Sequence, residues 1–584
     1  MEFPRLTEMA TTQEVTETFI GLDRNLRISP SAMNDMENLT SDYYPMLASR
    51  GKRSYVDVLE HPNGLLAKAK LLWVDYTRLH YGGEDITDHL TAKGIYLTDS
   101  PKEMVSMGAY AIIMPDKIYI NTSDLDDCGR IDADWVNEYP VTIQMCMEDG
   151  IEYSYTASAT APASPASGQR WLDTSGDRDQ MMVWNATSSE WTAVESVYCK
   201  ISCNGIGLQF KDDDGVDISG CCNDALNGSH ILYHVSDNAV ITIGMIREQV
   251  VQEAGSLRIR RTMPDMDYII ECSNRLWGCK YGTVDGRQIN EIYCCALGDF
   301  RNWNRYKGIS TDSYTASVGT DGPWTGAITH LGHPLFWKEG HLHKVYPSAS
   351  GAHEIIDTEC RGVQPGCAKS LAIVDERLYF KSRDGVCVYD GSMPSSVGNQ
   401  LGTMLYYDAV AGAVGSKYYL SMRDERGEWT LFCLDVRRGI WVKEDHTRAY
   451  AMARLEDELY LLDSNTGRLI GLLGRADGVE EDDVMWSCTT GIIGYTDSRQ
   501  KYVSRFCVRI KLEDGASAQF QIEYDSNGKW LPCGSIVGNG LRSALLPIRP
   551  VRCDHFRIKI LGRGEMRIFS RANVYERGSD VCGY

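Results

Sequence analysis

The sequence predicts an all-β protein: a β-propeller of about seven blades with an inserted small β-domain and a C-terminal β-sandwich. Three observations lead to this fold class. A strand-turn-strand unit recurs about every 40 residues, which is typical of propeller blades. Periodicity of the helical kind is almost absent from the 584 residues. After about residue 483 the repeat stops, and strands with alternating apolar and polar residues follow.

The repeated unit is a polar turn followed by a bulky apolar strand start, as in DERLYF at 375–380 and NRLWG at 274–278. Its first apolar residue gives a series of anchors: Leu79, Ile118, Leu276, Leu335, Leu378, Tyr418 and Leu459. Their spacings are 39, 158, 59, 43, 40 and 41 residues. Such a unit buries its apolar faces only against its neighbours. We therefore expect seven blades over 61–134 and 263–482, with six or eight as alternatives.

The spacing of 158 residues is too long for one blade and predicts an insertion over 135–262. A linker rich in Ala, Ser and Pro occupies 156–168. Short strands that carry tryptophans follow it, so we expect one or two small β-modules that project from the propeller. Residues 1–60 are predicted to form an N-terminal arm leading into the first blade. Residues 483–584 are predicted to form the β-sandwich.

Composition and charge narrow the class of protein. The net charge is −21, but residues 501–584 carry a balance of +6 and the first 500 residues carry −27. This asymmetry indicates two surfaces with different partners, and the acidic body argues against a dedicated DNA-binding role. The 19 cysteines are scattered and form no CxxC motif, so we expect buried thiols in a reducing cytosol. No apolar run reaches the length of a membrane span, and the N-terminus lacks the pattern of a secretory signal.

Few stretches of the sequence come near a known catalytic, nucleotide-binding or metal-binding motif. The chain contains no P-loop, GxSxG or HExxH motif. MRDERGEWT at 422–430 comes near the Asp box of propeller sialidases, but its spacing favours a charged hairpin turn. His341 and His343 could form half of a metal site, and the acidic segments 124–134 and 211–217 resemble calcium loops only in composition. We therefore predict no catalytic, cofactor-binding or metal-binding residues and expect that the chain is not an enzyme.

Trp171, Trp184 and Trp191 lie close together in the insertion. An exposed aromatic face suits a pyranose ring, so these residues are candidates for contact with a glycan or a partner. In so small a module, however, tryptophans commonly form the core, and both interpretations stay open.

The N-terminal segment 21–53 has the form NL…YPxLxxRxxR, in which Tyr44-Pro45 precedes Arg50 and Arg53. It resembles the start of bacteriophage tail-nozzle or packaged-DNA stabilisation proteins, in which a β-propeller follows. The C-terminal stretch from 501 is similar to the sandwich ends of such proteins. The tryptophan-rich stretch resembles a small module of phage tail proteins. The resemblance implies a virion protein, made in the host cytoplasm, that forms a ring of identical subunits in the tail. Such a ring extends the DNA conduit, helps retain the packaged genome and contacts DNA transiently.

The leading hypothesis is therefore a structural component of a phage tail that contacts neighbouring head-to-tail or tail proteins and tail fibres. Arg557, Lys559 and Arg567 in the basic C-terminal region are candidates for subunit docking. The alternative is a propeller that binds a receptor or a glycan, and it depends on exposure of the three tryptophans. A propeller hydrolase would need clustered carboxylates and an arginine at the centre of the disc.

Overall fold

The computed structural model describes residues 11–497 and 499–577, and it confirms the all-β fold class. Four-stranded antiparallel sheets follow one another along the chain as propeller blades. Blade 1 consists of Pro62–Ala67, Leu71–Asp75, Arg78–Tyr81 and Glu84–Asp85, and blade 2 of Glu103–Met107, Tyr110–Met114, Ile118–Asn121 and Asp124–Arg130. Blade 3 consists of Tyr268–Glu271, Leu276–Val284, Arg287–Cys294 and Tyr314–Ser317, and blade 4 of Gly326–His330, His333–Trp337, His341–Tyr346 and Glu354–Glu359.

Three further blades complete the series. Blade 5 consists of Ala372–Val374, Arg377–Ser382, Gly385–Tyr389 and Ser395–Ser396, and blade 6 of Tyr406–Val414, Lys417–Asp424, Trp429–Asp435 and Ile440–Asp445. Blade 7 contains Ala449–Leu455, Glu458–Asp463 and Arg468–Gly471, followed by Ser54–Val58 and Val479–Glu480. Its fourth strand therefore comes from the N-terminal part of the chain and joins the two ends of the propeller through backbone hydrogen bonds.

The blades form a closed circle. The first strands of neighbouring blades contact each other, with the turn Ala368–Ser370 making the contact between blades 4 and 5. Blade 7 meets blade 1 through a shared apolar cluster that includes Trp73 and Leu462. All seven predicted anchors are completely buried. Five of them lie on the second strand of a blade, whereas Leu79 and Ile118 lie on the third. The repeated apolar position in the sequence therefore corresponds to a side chain that is buried in the propeller.

The insertion between blades 2 and 3 contains two sheets. The larger has eight strands in the order Ala133–Val136, Arg258–Arg261, Gly215–Ser219, Gly228–Ser236, Ala239–Ile243, Tyr198–Ser202, Val141–Cys146 and Val250–Gln252. The smaller has four strands: Tyr155–Ser158, Arg170–Asp173, Gln180–Asn185 and Glu190–Ala193. The two sheets share one apolar core.

Two sheets that pack face to face form the sandwich. The first contains Leu39–Thr40, Leu47–Ser49, Met566–Arg577, Lys501–Leu512 and Gly540–Leu546, with Thr11–Thr16 and Arg552–Cys553 paired at its sides. The second contains Met33–Glu37, Met485–Thr490, Phe556–Arg563, Ser517–Tyr524 and Leu531–Val537. Its core is continuous with that of blades 4 to 7. Blades 4 to 7 and the sandwich therefore share one apolar interior.

The N-terminal segment differs from the arm that the sequence led us to expect. Strands between Thr11 and Ser49 belong to the sandwich, and Ser54–Val58 belongs to blade 7. Each of these strands except Leu39–Thr40, which pairs with Leu47–Ser49, hydrogen-bonds to residues more than 400 positions away. A local hairpin pattern cannot reveal such pairings, which is why this part of the sequence looked like an arm. Residues 1–10 lie outside the described residues.

Two arginines of the predicted YPxLxxRxxR motif connect the sandwich to the propeller. The Arg53 guanidinium, only 3% exposed, donates to Glu444 at 2.7 Å and Asp445 at 2.5 Å in blade 6. Arg50 makes a bidentate pair with Glu481 at 2.6 and 2.9 Å. Residues 50–53 and 481–484 are the two chain crossings between sandwich and propeller, so this group of charges holds both crossings against blade 6.

Helices are few and short: the α-helix Thr87–Thr91 and the 3-10 turns Asp224–Leu226, Ala368–Ser370 and Asn399–Leu401. None of the helices in the described residues is long and apolar enough to cross a membrane. The cysteines of the described part of the chain are free thiols, and most of them are buried.

Candidate glycan-binding site

The small sheet of the insertion places the three predicted tryptophans on one face. Directly opposed residues in a sheet point to the same side, and successive residues of a strand point to opposite sides. Trp184 lies opposite Trp191, and Trp171 lies opposite Met182. We call the side that carries these residues the Trp face: Trp171, Met182, Trp184, Trp191 and Ala193.

The opposite side of this sheet is attached to the core of the insertion. Leu172 and Met181, each at most 1% exposed, pack with the residues of the eight-stranded sheet. Tyr155 packs on the same core, and its hydroxyl donates to the carbonyl oxygen of Ile246 at 2.9 Å. Because these side chains point inward, the Trp face points away from the core of the insertion.

The indole rings form an edge-to-face series. The ring centroids of Trp171 and Trp191 are 5.3 Å apart, and those of Trp184 and Trp191 are 5.4 Å apart. Trp171 is 7% exposed, and its indole N–H donates to the carbonyl oxygen of Ser158 at 3.0 Å. Trp184 and Trp191 are only half-buried. Trp171 thus supports the other two rings, which keep part of their aromatic surface in water.

Polar groups flank these rings. Asp173 and Gln180 oppose each other at one end of the Trp face, two residues from Trp171 and Met182 respectively. Within residues 11–497 and 499–577, the indole N–H groups of Trp184 and Trp191 make no hydrogen bond. The arrangement offers an aromatic surface with donors and acceptors beside it, which is the combination that orients a sugar ring. Sequence reasoning missed Asp173, Gln180 and Met182, although spacing by two from a tryptophan could have identified them.

The three predicted docking residues do not form one patch. The Arg557 guanidinium donates to Glu523 at 2.7 Å, and Lys559 lies 5.7 Å from the ring of Trp530. Arg567 pairs with Glu565 at 2.6 Å and lies 3.9 Å from the ring of Tyr43. Arg557 and Lys559 belong to the five-stranded sheet and Arg567 to the seven-stranded sheet. Their neighbours Ile558, Ile560 and Ile568 fill the core, so the basic residues face opposite sides of the sandwich.

The other candidate motifs are accounted for by internal contacts. His343 is completely buried, and both His341 and His343 approach Asp357 Oδ1, at 3.1 and 3.5 Å. In the acidic segment 211–217, Asp214 is buried against Arg261. In the part of the chain that the structure describes, no group of three or more His, Cys, Asp or Glu could hold a metal ion. Asp424 accepts backbone N–H groups of its own hairpin turn at 2.9 Å.

No protein-family model matches the chain, and no curated protein matches it. Among solved structures, an endosialidase of phage phi92 is 10% identical, with 75% of this chain and 68% of that chain covered and a TM-score of 0.24. An exo-β-1,3-galactanase from Phanerochaete chrysosporium is 9% identical, with 51% and 94% covered and a TM-score of 0.21. An acylaminoacyl peptidase from Pyrococcus horikoshii is 12% identical, with 53% and 55% covered and a TM-score of 0.23.

These comparisons contradict the prediction that the chain is not an enzyme, because the similar structures are largely enzymes, and we do not retain it. TM-scores of this size carry no argument for a particular activity. The resemblance to phage tail-nozzle proteins stays a prediction.

Proposed function

We propose that this chain is a propeller-based glycan-binding protein and that the Trp face is its sugar-binding surface. The observation that carries the proposal is the orientation of the small sheet. One side is fixed to the core through Leu172 and Met181, while Trp184 and Trp191 stay partly in water on the other side. A module that used its tryptophans only as a core would turn them inward.

The chemistry of the Trp face matches a sugar ring. The hydrocarbon side of a pyranose loses water-exposed apolar surface when it stacks on an indole ring. Its hydroxyl groups can then exchange hydrogen bonds with Asp173, Gln180 and the indole N–H groups of Trp184 and Trp191. The edge-to-face packing on Trp171 fixes the rings before the sugar arrives, which reduces the entropy lost on binding.

Replacing Trp184 or Trp191 by alanine is expected to weaken glycan binding by roughly thirtyfold, or about 2 kcal/mol, the loss typical of an aromatic hot spot. The measurement is a glycan-array screen followed by calorimetric titration of the best ligand. Tyr96→Ala is the matched control, because Tyr96 is a 65% exposed aromatic residue outside the insertion. Wild-type protein that binds no glycan, or Trp variants that bind like the Tyr96 variant, would refute the proposal.

A second candidate function is the phage tail ring, and one observation favours it. Two of the three segments that resemble phage tail proteins, 21–53 and the stretch from 501, contribute strands to the same sandwich. The charge of the chain also divides into an acidic body and a basic C-terminal region. In this account, copies of the chain assemble in the virion tail beside other head-to-tail proteins, and the acidic surface lets DNA slide through.

The ring is tested by negative-stain microscopy and mass photometry of the purified protein. Rings are expected for the wild type. If the outer side of the five-stranded sheet contacts a neighbouring subunit, the double substitution Arg557→Glu and Lys559→Glu is expected to dissociate these rings. Arg567→Glu is the matched control on the opposite side of the sandwich. A protein that stays monomeric at all concentrations and is absent from phage particles would exclude this candidate.

A further inference from the structure

A group of charged and aromatic residues meets at the centre of the propeller. Each contributing strand is the first strand of its blade, and all of these strands start at the same end of the channel. Glu103 and Tyr268 are the first residues of their strands, and Asn63 and Tyr450 are the second residues of theirs. Lys369 lies in the turn just before blade 5. We call these five residues the axial cluster.

Contacts between blades that are not neighbours place the cluster on the axis. The Lys369 ammonium group, next to blade 5, donates to the carbonyl oxygen of Tyr450 in blade 7 at 3.0 Å and lies 4.1 Å from its ring. This contact passes over blade 6, which only a position at the centre allows. The Tyr450 hydroxyl then donates to the carbonyl oxygen of Asn63 in blade 1 at 2.9 Å.

Glu103 faces Lys369 from blade 2. The Glu103 carboxylate accepts the backbone N–H of Ile269 at 3.5 Å. The backbone N–H of the preceding residue, Lys102, donates to the Asn63 carbonyl oxygen at 2.6 Å, which is the oxygen that the Tyr450 hydroxyl also contacts. Neither Glu103 nor Lys369 has an ion-pair partner within 4.0 Å among the residues that the structure describes. Both side chains are nevertheless exposed to water. Two opposite charges that lie in water without an ion-pair partner can both contact a polar ligand.

Neighbouring strands shift the pKa of both groups even though their side chains are exposed to water. The strands that crowd the Glu103 carboxyl group remove part of its hydration and raise its pKa to about 7, although Lys369 opposes this shift. Loss of hydration likewise lowers the pKa of Lys369 and raises the pKa of Tyr268 to about 12.

We propose that the axial cluster is a second binding site, for a neutral monosaccharide unit held between Glu103 and Lys369. The ligand must donate to a carboxylate on one side and accept from an ammonium group on the other. Neighbouring hydroxyl groups of a sugar do both without adding charge, whereas the negative charge of phosphate is repelled by an ionised Glu103. Tyr268, whose hydroxyl group has no partner among the described residues, supplies an aromatic wall and a further polar group.

The test is saturation-transfer difference NMR in a Trp184→Ala/Trp191→Ala background, so that the Trp face does not contribute. The probes are the methyl glycosides of glucose, galactose and N-acetylglucosamine, with inorganic phosphate as a fourth compound. At least one glycoside is expected to bind saturably, and Glu103→Gln and Lys369→Met are each expected to weaken it at least about tenfold. Both variants remove charge from exposed side chains, and a matched melting temperature checks that they fold.

Three outcomes would overturn the axial site: no saturable binding of any glycoside, binding that both variants leave unchanged, or binding of phosphate alone. Because the Trp face is already disabled in this background, the result is independent of the proposed function. Loss of array binding in the Trp variants tests the Trp face, and glycoside binding in the double-variant background tests the axial cluster. Either proposal can therefore fail without the other.

Discussion

Arg53→Ala is expected to lower the free energy of unfolding by about 3–5 kcal/mol, which is a large part of the stability of a typical domain. The substitution leaves the buried carboxylate of Glu444 and the partly buried carboxylate of Asp445 without their cation. Glu444 is 4% exposed, and its nearest remaining cation is Arg50 at 3.9 Å. Removing one partner of a buried ion pair costs far more than the pair contributes in water, because the other charge keeps its desolvation penalty.

The measurement is isothermal denaturation in urea, with Arg383→Ala as the matched control. Arg383 forms a 3.5 Å pair with Glu339, but its side chain is 77% exposed, so its loss is expected to cost at most about 1 kcal/mol. Equal effects of the two substitutions would show that the charges at the crossings do not hold the sandwich to blade 6.

The same group of charges predicts a dependence of stability on acid. Burial alone would raise the pKa of Asp445, but Arg53 and the N–H and hydroxyl groups of Thr447 lower it to about 2. Arg50 likewise lowers the pKa of Glu481. A carboxyl group whose folded pKa is depressed stabilises the fold above its unfolded pKa, near 4, and loses this contribution as the pH falls toward 2. The free energy of unfolding of the wild type is expected to decrease as the pH falls from about 4 toward 2. The decrease is expected to be smaller in Arg53→Ala.

Deletion of residues 11–58 is expected to prevent cooperative folding altogether. This segment supplies the fourth strand of blade 7 and strands to both sheets of the sandwich. Without Ser54–Val58 the propeller loses the hydrogen bonds that join its ends, and without the earlier strands the sandwich core opens to water. An arm that merely preceded the first blade could be removed with little effect.

The matched control replaces a segment of similar length, 154–195, by a short Gly-Ser linker. This removes the small sheet of the insertion, on which the closed circle of blades does not depend. Far-UV circular dichroism and the melting transition are compared for both deletions. Cooperative melting after removal of 11–58 would contradict the strand pairings described above.

Features repeated within a short stretch were predictable from the sequence. The anchors were recognisable because each blade places a bulky apolar residue just after a turn, and all seven are buried between blades. The insertion was predictable because it interrupts this spacing. The strands of 11–58 were not, since nearly all their partners are distant in the sequence and their local pattern contains few hairpins.

The candidate sites also combine features that the sequence predicted with features that only the fold reveals. Three nearby tryptophans pointed to an aromatic cluster, but only the register shows that Trp184 and Trp191 face away from the core. The axial cluster escaped prediction because Glu103 and Lys369 come from blades far apart in the chain, and neither lies in a motif. Arg557 and Arg567 seemed alike in sequence, yet the sandwich turns them to opposite sides.

A crystal structure of the protein soaked with its best array ligand tests the central claim most directly. We expect sugar density stacked on Trp184 and Trp191, with hydroxyl groups within hydrogen-bond distance of Asp173 or Gln180. A complex in which the sugar lies elsewhere while the Trp face remains bare would contradict glycan recognition by this surface.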